Sequence, residues 1–163
     1  MTARKALRLL LFVVLAWQLT GCGFQLRGQL PLQLFDGVYL QAERHSELAA
    51  ILRQRLQSHQ IVLLNQPEQD SPSVYLLHDS LERRTLSLFP NGQVAEYELI
   101  YQVRYSIQTP GTEAQVFEFE LFRDYQDDPN RALAKARELE LMLAELREQA
   151  AQRILRQLGR ISA

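Results

Sequence analysis

Residues 95–108, Ala-Glu-Tyr-Glu-Leu-Ile-Tyr-Gln-Val-Arg-Tyr-Ser-Ile-Gln, alternate apolar and polar side chains. Ala95, Tyr97, Leu99, Tyr101, Val103, Tyr105 and Ile107 share one face. Glu96, Glu98, Gln102, Arg104, Ser106 and Gln108 share the other, with Ile100 the sole intruder. A period of two is that of a β-strand, and strict alternation marks a strand with one face on a core and the other toward water or a polar partner. Upstream, Pro90-Asn91-Gly92 separates this segment from an apolar-rich arm running from Val74 to Phe89. Asn-Gly predicts a type I′ hairpin turn, with positive φ at both residues. In the first arm Leu77 and Leu81 fall on odd positions, whereas Leu86 and Leu88 fall on even ones. A bulge between Asp79 and Thr85 would reconcile them.

The pattern extends on both sides of the hairpin. Val38 to Ala42 reads as a short strand, Ser46 as the cap of a helix carrying Leu48, Ile51, Leu52 and Leu56, and Ile61 to Leu64 as a second strand. Together they form a βαβ start. Residues 66–73 hold two prolines and read as a loop. After the turn Thr109-Pro110-Gly111-Thr112, a strand runs from Gln115 to Tyr125, with Phe117, Phe119 and Leu121 on one face and Glu118, Glu120 and Asp124 on the other. Asp128-Pro129 then predicts a helix start, Asp as cap and Pro at the first helical position. Ala132, Ala136, Leu139, Leu143, Leu146, Ala150, Ile154 and Leu158 form a continuous apolar stripe. Gly159 is the expected stop, with Arg153, Arg156 and Arg160 suiting the helix's negative end. The fold class is α+β: a single domain with a mixed or antiparallel sheet of four to five strands and two helices packed on one face.

The chain has 163 residues, enough for one domain, and 47% of them are apolar, which excludes a disordered chain. Its 18 Lys and Arg against 19 Asp and Glu do not suggest a nucleic-acid binder. One Cys and three scattered His leave no intrachain disulfide and no zinc cluster.

Arg4, Lys5 and Arg8 precede an unbroken apolar run, residues 9–17, and the sequence then turns small and polar up to Cys22. That is the layout of a secretory signal, residues 1–21, and the run is about half the ~20 residues a membrane span needs. An uncleaved anchor is the competing reading, diluted by Gln18, Thr20, Gly21, Gly23 and Gln25. Leu19-Thr20-Gly21-Cys22 resembles a bacterial lipobox. The resemblance implies cleavage before Cys22 and an acyl and diacylglyceryl lipid on its sulfur and amino terminus. The product would run from 22 to 163, with 22–35 as a lipidated linker. Removing Arg4, Lys5 and Arg8 leaves 15 basic and 19 acidic residues, a net of −4.

Catalytic signals are weak. The paired carboxylates Glu96/Glu98 and Glu118/Glu120 sit on strand faces that alternate with apolar ones and read as solvated. Asp124, Asp127 and Asp128 lack calcium-loop spacing. Arg83-Arg84 reads as a basic doublet on a strand. No nucleophile and base stand in a recognisable arrangement, and no metal or other cofactor is expected.

Three stretches resemble one family in the same order along the chain. Cys22-Gly23-Phe24-Gln25-Leu26-Arg27 follows the processing site. Asn91-Gly92-Gln93-Val94-Ala95-Glu96-Tyr97 forms the hairpin, and Asp128-Pro129-Asn130-Arg131-Ala132-Leu133-Ala134-Lys135 opens the last helix. They are similar to LptE, the outer-membrane lipopolysaccharide-assembly lipoproteins. The resemblance implies a lipid-anchored protein on the periplasmic side of the outer membrane. It would plug and help assemble the LptD β-barrel and bind lipopolysaccharide without covalent catalysis. Lys135 is the basic position it carries over for lipopolysaccharide, with Arg131 beside it and Arg83, Arg84 and Arg123 as auxiliaries if they converge. Pro90 stands where family members often place a basic residue before the Asn-Gly turn. An envelope lipoprotein that binds a small ligand or the cell wall is the alternative.

Overall fold

The alternating segment forms an interior strand of the sheet, flanked on both sides. The computed structural model describes residues 37–161, so the signal peptide 1–21, Cys22 and the linker 22–35 lie outside the described residues. Strands β1 (Val38–Gln41), β2 (Leu63–Leu64), β3 (Ser73–Leu88), β4 (Val94–Gln108) and β5 (Gln115–Gln126) form one sheet in the order β2-β1-β3-β4-β5. β1 pairs in parallel with β2 and β3, while β3, β4 and β5 run antiparallel. Helix α1 (Glu47–Ser58) connects β1 to β2, which completes the expected βαβ start. Helix α2 (Ala132–Ile161) follows β5.

Where β1 enters, Gly37 has no room for a side chain: a Cβ there would lie 2.9 Å from the Leu64 side chain and from the Val62 carbonyl. That close approach lets the Val38 N–H donate to Val62 O at 2.9 Å and sets the β1–β2 register. α1 begins as expected, with Ser46 Oγ accepting from the Ala49 N–H at 3.1 Å. Its buried side chains, Leu48, Ala49, Leu52 and Leu56, meet those of β4 and α2 in one core.

Three local expectations are corrected. The Asn-Gly turn is not type I′, because Gly92 alone takes positive φ, +83°. The Gly92 N–H donates to Phe89 O at 2.9 Å and the Phe89 N–H to Gln93 O at 2.8 Å. This is a type I turn closed by a left-handed glycine. Pro90 favours it, since its fixed φ suits the first central position of a type I turn and it has no N–H to donate to Gln93 O, the bond that would close a two-residue Asn-Gly turn.

The bulge is also displaced. β3 stays in register with β4 from His78 to Thr85, and its shifts fall between Leu76 and His78 and again at Thr85, Ser87 and Leu88. Val74 and Leu76 point inward on even positions, Leu77 drops out of the ladder half-exposed, and Asp79 and Leu81 then continue on the helix side. Parity therefore changes before Asp79 and not after it. Gly159, finally, does not stop α2. It lies buried within the helix, which runs on to Ile161. At the other end, Asp128 caps as expected but opens a 3-10 turn, Pro129–Arg131, before the α-helix begins.

Both helices cover the same sheet face, although not evenly. α2 is about 45 Å long at 1.5 Å per residue. All its fully buried residues lie from Leu146 onward, while Leu139, Met142 and Leu143 in its first half are only partly covered. The first half of α2 therefore runs along the far end of the hairpin, and the second half packs with α1 over the centre.

A polar knot ties the helices to the sheet. The Tyr101 hydroxyl donates to Asp79 Oδ2 at 2.6 Å, and the Ser46 hydroxyl donates to Asp79 Oδ1 at 3.5 Å. Arg147 of α2 stands beside Tyr101 and pairs with Glu47 in the first turn of α1. Burial, reinforced by the hydrogen bond to Asp79 and its charge, pushes the Tyr101 hydroxyl far above the ordinary phenol value of 10.0. Above that value the unfolded chain loses the proton while the native state keeps it, so stability is fully present below pH 10 and falls as pH rises further. Thermal unfolding across pH 8–12 should show this alkaline loss. Tyr101→Phe should be less stable by about 1–3 kcal/mol at neutral pH, through the orphaned Asp79 acceptor, yet have a shallower alkaline slope. Equal slopes would contradict the assignment.

Candidate ligand cleft and open sheet face

The family-like segments of the hairpin and last helix meet at one end of the molecule. A cleft of ≈ 800 Å³ lies between the hairpin tip (Phe89, Pro90, Asn91 and Gln93) and the turn into α2, with Arg131, Lys135 and Glu138 on its far wall. Leu86, Leu88 and Leu133 are exposed at this end of the fold. Asp127 and Asp128 also line the cleft, so three carboxylates face two cations.

Lys135 is already engaged. Its Nζ lies 2.7 Å from Glu138 Oε2 and 4.6 Å from the Tyr125 ring centre, while the Tyr125 hydroxyl donates to Lys135 O at 3.0 Å. The lysine side chain is only 12% exposed. Tyr125 itself is buried and stacked on Tyr97. Burial, and then the Asp127 carboxylate, raises its hydroxyl above the usual phenol value, with Lys135 opposing. The lysine thus fastens the start of α2 to the last strand, and a phosphate reaching it competes with Glu138. Arg131 is exposed, and no ion pair engages it among the described residues.

The auxiliary arginines do not converge on this cleft. Arg83 and Arg123 flank Leu99 in one cross-strand row on the helix side, and Arg123 pairs with Glu145 of α2 at 2.7 Å. Arg84 belongs to the next row, on the opposite face, where it pairs with Glu98. Adjacent strand residues point to opposite faces, so a basic doublet on a strand is divided by the sheet.

The face away from the helices carries no layer of secondary structure among the described residues. Its rows run Tyr75–Ser106–Val116, His78–Arg104–Glu118, Ser80–Gln102–Glu120, Glu82–Ile100–Phe122, Arg84–Glu98–Asp124 and Ser87–Glu96–Gln126. Gln102 donates to Glu120 at 2.9 Å, and Glu96 accepts from Ser87 at 2.8 Å and Gln126 at 3.2 Å. These two hydrogen bonds, Ser87 first, hold the Glu96 carboxyl below its ordinary value. Ile100, the intruder in the alternation, is 9% exposed here, beside the half-exposed Phe122. The result is a polar surface, self-paired in part, with Glu82, Arg104, Glu118 and Asp124 making no ion pair among the described residues and the Phe122 ring exposed.

Comparison with known proteins agrees with this architecture. A family model described as LptE, lipopolysaccharide-assembly, matches residues 35–158. The chain belongs to the LptE family. The LPS-assembly lipoprotein LptE of Yersinia pestis is 35% identical over 146 residues, covering 88% of this chain and 70% of that protein. The crystal structure of rare lipoprotein B from Shewanella oneidensis is 46% identical, with a TM-score of 0.71, over 77% of this chain and 96% of its own. The solution structure of a lipoprotein B from Nitrosomonas europaea is 30% identical at the same TM-score, over 86% of this chain and 92% of its own. LptE membership gives the chain a role in lipopolysaccharide assembly. No described helix is long and apolar enough to cross a membrane.

The sequence located Arg131 and Lys135 but not the partners that restrain Lys135. Tyr125 and Glu138 looked like ordinary strand and helix residues until the turn into α2 brought them together. Lys135→Ala should therefore cost about 1 kcal/mol of folding stability, through the lost ring contact and a partly exposed ion pair. Arg131→Ala should cost close to nothing. Denaturant unfolding of both variants checks this, and equal stability of the two would contradict the fastening role.

Proposed function

We propose that this protein is a non-catalytic, outer-membrane lipoprotein component of the lipopolysaccharide translocon. A lipid on Cys22 holds it at the periplasmic side, and it plugs and helps assemble an LptD β-barrel. The uncovered face of the sheet carries this reading. It is polar and partly self-paired, with Glu82, Arg104, Glu118 and Asp124 left to meet polar groups in the interior of a large barrel. The helices on the other face supply the core, so the open face is free for such contact.

Within the same reading, lipopolysaccharide meets the cleft at the hairpin tip. Arg131 offers an unpaired guanidinium for a lipid-borne phosphate. Lys135 joins it when the phosphate displaces Glu138, and the exposed Phe89 ring on the cleft wall can meet an apolar chain. Arg83 and Arg123 approach from the helix side only, and Arg84 takes no part because it faces the other way.

Two measurements test the proposal. Tagged protein from bacterial envelopes should bring down a large β-barrel at stoichiometric yield, and recovery as a lone monomer would overturn the plug. Lipopolysaccharide binding by the purified protein should fall about tenfold or more in Arg131→Glu/Lys135→Glu, as expected when charge-assisted bonds of ~1.5–3 kcal/mol are lost. Unchanged binding would remove both residues from the site.

A further inference from the structure

A second cleft lies at the opposite end of α2, where the helix leaves the β5 edge. It measures ≈ 390 Å³ and is lined by Tyr105, Phe117, Phe119 and Glu118 from the sheet and by Arg153, Arg156 and Arg160 from α2, with Gln157 between them. Arginines near a helix C-terminus suit the helix dipole, but that role requires neither a concavity nor convergence. Here the spacing of three and four residues puts all three guanidiniums on one side of the helix. Arg153 lies over the Phe119 ring at 4.5 Å, and its charge opposes the burial that raises the Tyr105 hydroxyl. Among the described residues Arg55, Arg84, Arg123, Lys135 and Arg147 each pair with a carboxylate, whereas Arg153, Arg156 and Arg160 make no ion pair.

The charge balance differs from that of the hairpin-tip cleft. Three arginines against Glu118 leave a net of +2, whereas the tip cleft has one more carboxylate than cations. A phosphomonoester carries about −1.5 to −2 at neutral pH and three acceptor oxygens, which matches several guanidinium forks at once; a lone carboxylate has only two oxygens. The Tyr105–Phe117 pair, stacked at 5.4 Å, gives the cleft an apolar wall.

We infer that the cleft formed by Arg153, Arg156, Arg160 and the Tyr105–Phe117 wall is a phosphate-binding site, which takes a phosphomonoester carried on an apolar body. It deepens the reading above by adding a second anionic contact for a phosphorylated lipid. Its geometry is separate from that of the Arg131 cleft, so each can fail alone.

The test uses the full-length lipidated protein in neutral detergent, followed by NMR of the arginine Nε–H signals. The probes are inorganic phosphate, short-chain phosphatidic acid and short-chain phosphatidylcholine at constant ionic strength. Short-chain phosphatidic acid should shift the Arg153 and Arg156 signals saturably, inorganic phosphate more weakly and phosphatidylcholine not at all. Equal affinity for inorganic phosphate would assign the site to free phosphate and overturn the lipid-borne ligand. Arg153→Gln/Arg156→Gln should weaken the phosphatidic acid response about tenfold or more while Arg131→Gln leaves it intact. Absence of a shift, or the same shift with phosphatidylcholine, would overturn the site.

Discussion

Burial of one face of β4 is the constraint from which the rest of the structure follows. Leu99, Tyr101, Val103, Tyr105 and Ile107 are all 2% exposed or less, and they lie on an interior strand between β3 and β5. Because strand side chains alternate, drying that row commits the intervening row to the other face. A one-residue slip would exchange the two rows. The helices can therefore cover only one side, and the polar rows Arg84–Glu98–Asp124 and Ser80–Gln102–Glu120 remain open on the other. The polar knot of Asp79, Tyr101 and Ser46 adds a geometric constraint to a face otherwise held by apolar contact. It fixes where α1 begins relative to β3 and β4.

Much of this was legible in the sequence because the β4 and α2 patterns are long and regular. The sheet, both helices, the Ser46 and Asp128 caps and the parallel β1–β2 pair followed from periodicity and capping chemistry. The errors were local and have physical causes. Asn-Gly suggested a two-residue turn, but Pro90 lacks the N–H that would close it and moves to the first central position of a type I turn. Leu77 appeared to belong to the inward set, yet it is the residue expelled from the ladder; the change of parity revealed a bulge but not its place. Gly159 resembled a helix stop, but it is buried within the helix, whose packing carries the chain on to Ile161.

The candidate site was legible only in part. Lys135 and Arg131 were named, and the structure does bring them to one cleft with the hairpin tip. What the sequence could not show was that Glu138 and Tyr125 already occupy the lysine. Nor could adjacency in sequence show that Arg83 and Arg84 face opposite sides of the sheet. The three arginines near the end of α2 were read as partners of the helix dipole. Only the close approach of Phe117 and Phe119, which are distant in sequence, turns them into the wall of a cleft.

The two halves of α2 thus differ in role. Its second half, buried from Leu146 onward, closes the core, while its first half extends with the hairpin beyond α1. A one-sided sheet leaves its other face for a partner, and hydroxyl-radical footprinting of the full-length protein tests this directly. In detergent alone, the rings of Phe122 and Tyr75 should oxidise readily and that of Tyr101 should not. In the complex with its β-barrel, Phe122 and Tyr75 should become protected. If they stay equally reactive in the complex while the outer surface of α2 becomes protected, the face assigned to the barrel is the wrong one.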